Sequence, residues 1–460
     1  MAELVPFRGI RYAASRGRAL GQLLAPPYDL ISQEQRDELL RRSPHNVVHI
    51  TLGEDRTGDT AQVNKYTRAA GYFRAWQAEG VLRRDEAPSL YPLEQTFWSP
   101  DGRQLTRRGF MAAVRLHEFS EGIIVPHEKT LVAPKADRLA ILKTVAGNLS
   151  PLFGLYRDEA GATARALDLA CAAEPVAEAD SDDGVHHRLW RADDPQVVGA
   201  LQRLVSEQRI FIADGHHRYE TALVYRRWLE QQTPGLPAWG GHHYILMFLC
   251  PMSDPGLVIY PTHRLVYGLK ALTLADLLPR LDRFFTVQPV EESLLKPVGR
   301  AWAVSRLSEH AGKATSFLMV SAEDQQGRIL TLRDDADLTR VGLPANSTLR
   351  DLDVTVLHAI VLEHLLGVSA EAQERGEHLS YVRDAGQAVN RVLSGEHQVG
   401  FLLNPTPMWQ VEAVGDAGLT MPQKSTLFAP PAAERPGAAG HRSTGPAVNS
   451  QRLSTRPRLG

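Results

Sequence analysis

The run Asp214-Gly215-His216-His217-Arg218 brings an acid, a glycine, two imidazoles and a guanidinium into consecutive positions. Those types in that order suit an anion. Gly215 lets backbone N–H groups approach a ligand closely. Arg218 offers a planar fork for phosphate oxygens, and His216 and His217 add donors whose charge responds to a bound anion. Asp214 would repel phosphate on its own, so an acid here points to a Mg²⁺ ligand or a proton acceptor. A structural account also exists: Asp214 as a helix cap, Arg218 paired with a surface carboxylate, and the histidines bonded to backbone. Two histidines and an arginine together favour the anion. The adjacent pair His216 and His217, with no Cys or third His at ligand spacing, does not read as a metal centre.

A second cluster is Pro126-His127-Glu128-Lys129-Thr130, followed by Lys135, Asp137 and Arg138. Glu128, after a proline that fixes the chain, has the chemistry of a general base, and Lys129, Lys135 and Arg138 that of phosphate neutralisers. On spacing alone, a solvated loop of ion pairs explains the same residues better. Three proline-fixed turns are further candidates for lining a pocket: Tyr28 and Asp29 after Pro26-Pro27, His263 and Arg264 after Pro261, and Lys424, Ser425 and Thr426 after Pro422. No Walker A, GxGxxG or GxSxG pattern is present in the sequence.

An anion site at Asp214–Arg218 needs a strand that delivers the run and a helix that leaves it. Arg209 to Ala213 reads as a short apolar strand, and His217 to Gln231 as a helix with Ala222, Tyr225 and Leu229 along one stripe. The N–H groups of the first helical turn and the positive end of its dipole would then face the guest. Upstream, Ser32 and Gln35 form a capping box that predicts a helix ending before Pro44. VVHITLG predicts a short buried strand, and Thr60 to Gly80 a helix with Tyr66, Ala69, Ala70, Phe73 and Trp76 on a core face. Leu90–Phe97 and Gly109–Arg115 predict a hairpin across Ser99-Pro100-Asp101-Gly102, and Lys135–Val145 a helix. Further on, Tyr244–Leu249 and Gly256–Tyr260 read as buried strands, and Val354–Leu366 as a helix stopped by Gly367.

A chain of 460 residues, 43% hydrophobic and 23% charged, is globular and too long for one core, which excludes a disordered, collagen-like or disulfide-built protein. Lys and Arg number 51 against 53 Asp and Glu, so no basic field exists to hold a nucleic acid. Cys171 and Cys250 allow at most one disulfide, which fits a reducing cytoplasm. Glu3, Arg8 and Arg11 stand where a signal peptide needs apolar residues, and the longest apolar run, Tyr244–Cys250, falls far short of the roughly 20 residues that span a bilayer. The expectation is a soluble cytoplasmic protein without a membrane partner. Residues 1–150 carry the PPYD and PHEKT motifs and 151–428 the DGHHR motif, with an acidic, Ala-rich stretch at 158–195 that suits a solvated edge or subdomain connection. Residues 429–460 have almost no large apolar side chains and are expected to be a disordered tail.

In order, VPFRGIRY, APPYDLIS, PHEKT, KADRL, NLSPLFGLY, ADGHHRYETA, DPGL, PTHRLV, LLNPT and MPQKST resemble the bacterial and archaeal family called domain of unknown function 1015 (DUF1015). Within it, DGHHR resembles the phosphate-binding signature of the ParB/sulfiredoxin superfamily. That resemblance implies an α/β (α+β) fold: a ParB/sulfiredoxin-like nucleotide-binding core elaborated by N- and C-terminal segments. Free-serine kinases of that superfamily carry a Pro-His-Glu segment upstream, to which Pro126-His127-Glu128 is similar. By that analogy Glu128 removes a substrate proton, and Asp214 assists catalysis or positions Mg²⁺. Gly215, His216, His217 and Arg218 would hold the phosphate of ATP or ADP. The activity implied is a nucleotide-dependent phosphotransferase (kinase) on a small hydroxyl metabolite, with serine the leading candidate. The alternatives are a ParB-type nucleotide-binding switch or adaptor, and a phosphatase or nuclease using the same anion site. The 86 positions between Glu128 and Asp214 (214 − 128) imply an insertion or separate lobe. His216 stands where sulfiredoxin has its catalytic cysteine, which argues against sulfinate repair.

Overall fold

A computed structural model describes residues 1–13, 17–28, 31–99, 102–128, 133–270, 272–428 and 454–455. The fold is mixed α/β, and its contacts divide it into two units. Unit 1 comprises 1–126, 131–258 and 429–460, and unit 2 comprises 127–130 and 259–428. The boundary expected near 150 thus lies inside unit 1. Most of the expected tail lies outside the described residues, but Ser454–Thr455 pairs antiparallel with Gly9–Ile10. No helix among the described residues is long and apolar enough to cross a membrane.

Unit 1 is organised on a mixed sheet. Its strands run in the order Ile124–Val125, Ile210–Asp214, Leu152–Tyr156, Tyr244–Pro251, Gln104–Arg115, Tyr91–Trp98, His186–Leu189 and Ala177–Asp180, and Leu4–Val5 pairs beside Gln104–Arg115. Alternation builds the core on one face: Phe110, Ala112 and Val114 join Ile210, Ile212, Ile245, Met247 and Leu249 in one buried cluster. Helix His216–Gln232 adds Tyr219, Ala222 and Leu223 to that cluster. Strand Ile210–Asp214 runs parallel to Ile124–Val125 and antiparallel to Leu152–Tyr156, with a register shift between Ile212 and Asp214.

Unit 2 carries an antiparallel sheet in the order Phe285–Pro289, Gly327–Leu332, Ser316–Ser321, Val399–Leu403, His263–Val266, Leu379–Val382. Helices Pro297–Ser308 and Ala385–Leu393 bury Ala303, Leu307, Ala388, Val389 and Val392 against Leu265, Leu318, Val320 and Leu402. Side-chain alternation therefore turns Leu265 into this core and Arg264 to the other face of the sheet.

Several expectations are corrected. Val48–Thr51 in VVHITLG is a helical turn, although Val48, Ile50 and Thr51 are buried as a strand's side chains would be. An apolar run this short fits either element. Gly256–Tyr260 forms no strand; only Tyr260 pairs, in an isolated bridge to Leu427. The stretch 158–195 is not a solvated edge alone, because it contributes helix Ala162–Ala170 and two strands of the sheet. The helix expected at Val354–Leu366 is present, with a π-helical stretch at Leu357–Leu365. Ser32 caps helix Gln33–Arg42 through the N–H of Gln35, as the capping box predicts.

A buried polar chain crosses the antiparallel half of unit 1. Arg107 Nε donates to Gln95 Oε1 at 3.0 Å, and Gln95 Nε2 lies 3.4 Å from His187 Nδ1. His187 Nε2 is 3.0 Å from Ser181 Oγ, which donates to Asp183. Gln95 Nε2 is a donor only, so His187 accepts at Nδ1 and donates from Nε2. Burial holds His187 neutral, far below the ordinary imidazole range, and raises the Asp183 carboxyl to about 6. Asp183 Oδ2 is buried without a hydrogen-bond partner. Because the folded value is above the ordinary 3.8, this group's stabilisation is full below pH 3.8 and lost as pH rises through about 6. Asp183→Asn is therefore expected to match wild type at pH 4 and to exceed it by on the order of 2 kcal/mol at pH 8 in urea denaturation. A difference that does not vary with pH would refute the assignment.

Candidate functional site

In unit 1, strand Ile210–Asp214 ends in Gly215, at φ 97° and ψ 24°, and helix His216–Gln232 starts at once. A side chain at Gly215 would be strained by that φ, and its Cβ would stand 3.0 Å from Leu152 Cγ and from an Arg218 nitrogen. The helix has no side-chain cap and no acidic residue in its first turn. Its dipole thus places positive potential beside Asp214 without a carboxylate of its own to absorb it. Arg218 folds back over the turn, donating to Asp214 and to the carbonyl of Pro151. The expected surface-carboxylate partner of Arg218 is thus Asp214 itself, whose side chain is 56% exposed against 13% for Arg218. His216 is buried and His217 half-buried. The parallel partner strand ends at Val125, opposite Phe211, so the chain leaves it on the edge where Asp214 emerges.

Two further motifs meet in unit 1. The Arg138 guanidinium lies 3.8 Å from the centre of the Tyr28 ring, joining the PPYD turn to helix Ala133–Val145. Arg138 also binds Asp137 and the Thr51 carbonyl, the latter at 3.0 Å. Asp137 accepts from Tyr66 Oη at 2.9 Å and lies 3.5 Å from Lys65 Nζ. Burial raises the Asp137 carboxyl, but Arg138, Tyr66 and Lys65 outweigh it and hold the group below its ordinary value. Asp29, Lys129 and the side chain of Lys135 lie outside the described residues. Lys65 also lines a cleft of about 310 Å³ with Arg41, His49, Arg56, Arg68 and Tyr72, a grouping that no sequence motif marked.

In unit 2, three of the quoted motifs converge. His127 Nε2 is 2.7 Å from Thr426 Oγ1, and Glu128 accepts from the Lys424 N–H at 2.7 Å. Arg264, 1% exposed, donates to the Lys424 carbonyl at 3.0 Å and the Gln423 carbonyl at 3.3 Å. It also donates to the Thr262 carbonyl and, from Nε, to His358 Nε2 at 3.1 Å. Lys424 stands at φ 58°, a conformation few non-glycine residues adopt. Glu128 and Arg264 thus grip opposite ends of the Lys424 residue. Burial lowers Arg264 to about 10, which keeps it charged at neutral pH. His263 is separate from this cluster: burial lowers it to about 3, and its Nδ1 accepts from the Leu403 N–H within the sheet. Ser425 is buried and donates to the Pro422 carbonyl.

His358 was not legible in the sequence. It is one of two histidines in a largely apolar helical stretch, with His364, and only the fold brings it to Arg264. Its Nδ1 lies 2.7 Å from Gln373 Oε1, an acceptor, so Nδ1 carries the proton and Nε2 is free to receive from Arg264. Pro151 likewise offers only a carbonyl, which residue type cannot advertise.

A family model described as "Protein of unknown function (DUF1015)" matches residues 4–355. No curated protein matches the chain. Similar solved structures include a free serine kinase in complex with AMP, at 12% identity and a TM-score of 0.32, covering 66% of this chain and 83% of that one. SbnI with a C-terminal truncation, from Staphylococcus aureus, has 13% identity and a TM-score of 0.33, covering 69% and 82%. A conserved hypothetical protein from Pyrococcus furiosus has 13% identity and a TM-score of 0.32, covering 66% and 86%.

The Arg264 contacts make a stability prediction for unit 2. Lysine keeps the charge but cannot reach His358, Thr262, Gln423 and Lys424 together. Arg264→Lys should cost about 2–4 kcal/mol in denaturant unfolding, because it leaves a buried charge under-bonded. A loss below about 0.5 kcal/mol would mean that water replaces those partners.

Proposed function

The chain belongs to the DUF1015 family, and from that premise we propose that it is a nucleotide-dependent phosphotransferase acting on a small hydroxyl metabolite, with serine the leading candidate. The observation that carries the reading is the Ile210–Asp214 strand closing through Gly215 onto an uncapped helix, with Arg218 laid across the turn. Backbone N–H groups, the helix dipole and a guanidinium are the usual means of holding phosphate. Gly215, His216, His217 and Arg218 are assigned to the phosphates of ATP or ADP. An incoming phosphate competes with Asp214 for Arg218, so binding would free the carboxylate from its ion pair. Asp214, half-exposed at this junction, is the carboxylate suited to hold Mg²⁺, which when bound would neutralise phosphate charge.

Glu128 is assigned the removal of the substrate proton, on the similarity of Pro126-His127-Glu128 to the Pro-His-Glu segment of free-serine kinases. The Lys424 N–H that it accepts at 2.7 Å orients the carboxylate. Tyr28, Arg138 and His127 are assigned to shaping and rigidifying the motifs rather than to the chemistry.

Calorimetric titration with ATP, ADP and CTP in the presence of Mg²⁺ tests the phosphate site. Wild type should bind at least one of them, and Arg218→Ala should weaken binding at least about tenfold, the loss of one charge-assisted fork. Absence of binding at millimolar nucleotide would overturn the reading. With nucleotide bound, Glu128→Gln should lose turnover of the hydroxyl substrate by at least about a hundredfold while nucleotide affinity changes less than about threefold. Nucleotide binding with no transfer to any hydroxyl metabolite would replace the kinase by a nucleotide-responsive switch.

A further inference from the structure

At the opposite end of helix His216–Gln232 from Asp214, a second group of polar side chains gathers within unit 1. Glu230 lies in the last turn of that helix, and His242 and His243 come from the short turn Gly241–His243 that leads into strand Tyr244–Pro251. Glu230 Oε1 is 3.7 Å from His243 Nε2 and 3.9 Å from His242 Nε2. A ligand atom from each of the three lies within 4.8 Å of the others. Zinc held tetrahedrally at about 2.0–2.1 Å spaces its ligands about 3.3 Å apart, so small side-chain rotations complete the set.

The independent observation is His242. Its side chain is 2% exposed, and neither ring nitrogen has a hydrogen-bond partner. A buried imidazole that donates and accepts nothing is unusual, since protein interiors satisfy such groups. The ring is also packed deliberately: a Cβ on Gly240 would stand 2.7 Å from His242 Cε1, so glycine is required for the ring to lie there. Arg226 and Arg115 are the cations that act on these rings, and both are engaged by carboxylates, Arg226 by Glu118 at 2.7 Å and Arg115 by Glu3 at 3.1 Å.

We propose that Glu230, His242 and His243 form a binding site for a divalent transition metal of the zinc class, with water completing the coordination. Two imidazoles and one carboxylate are a donor set that suits zinc over the all-oxygen shells of Mg²⁺ or Ca²⁺. The ion would pin the C-terminal turn of the helix to the start of the neighbouring strand and close the segment 233–240 between them. The GlyGlyHisHis run at 240–243 carries this signal in the sequence, but its carboxylate partner is ten positions upstream of the nearer glycine (240 − 230) and only the fold unites them.

The test uses the full chain, stripped with a chelator, desalted and titrated with ZnCl₂ by calorimetry and with CoCl₂ by visible absorption. One ion per chain should bind, with the intense d–d bands of a four-coordinate cobalt site and no thiolate charge-transfer band. Glu230→Gln and His243→Ala should each weaken binding at least about tenfold, since each removes one ligand. Both positions are partly exposed, at 42% and 16%, and circular dichroism of the stripped variants reports whether they fold. His186→Ala, which removes another histidine beside two carboxylates, should leave the affinity unchanged. No saturable binding by wild type at about a hundredfold excess of zinc overturns the proposal. So does unchanged affinity in both folded ligand variants, or a weak octahedral cobalt spectrum.

Discussion

Gly215 is the constraint on which the candidate phosphate site rests. The strand arrives buried and must become a helix within one residue, and at the φ of 97° that does this a Cβ would stand 3.0 Å from Leu152 Cγ and from an Arg218 nitrogen. The same close packing lets Arg218 reach back to Asp214 and to the Pro151 carbonyl. Turn, ion pair and uncapped helix end are therefore one arrangement. Glycine adopts that φ without strain, so positive potential and a guanidinium share one corner of the sheet.

Unit 2 solves a different problem, that of keeping a cation dry. Arg264 is almost wholly enclosed, and the cost of taking it from water is offset by carbonyls of Thr262, Gln423 and Lys424, by His358 and by the Tyr381 ring 5.4 Å away. Because those acceptors belong to four separated stretches of chain, the guanidinium organises the segment 423–426. Glu128 holds the same segment through the Lys424 N–H. The positive φ at Lys424 is affordable only where both neighbours fix the peptide groups around it.

What could be read from the sequence divides along physical lines. The DGHHR turn was legible because its glycine, its helix start and its apolar strand are all local signals, and the structure extends the helix by one residue at each end, to His216–Gln232. The convergence of PHEKT, PTHR and QKST was not legible: it depends on contacts across 296 positions, as between Glu128 and Lys424. VVHITLG misled because burial, not strand pairing, selects Val48 and Ile50, and a single helical turn buries them equally well. His358 and Pro151 act through a tautomer and a carbonyl, properties that composition does not display.

The register shift between Ile212 and Asp214 has a wider consequence. Strict alternation would turn Asp214 to the same side as Ile210 and Ile212, into the apolar cluster. The one extra residue re-aims it, so that Asp214 pairs with Phe153 yet carries its carboxylate into solvent. The acidic group at this corner is thus set by chain length as much as by residue identity. Loss of that one position would turn the Asp214 carboxylate back toward the apolar cluster.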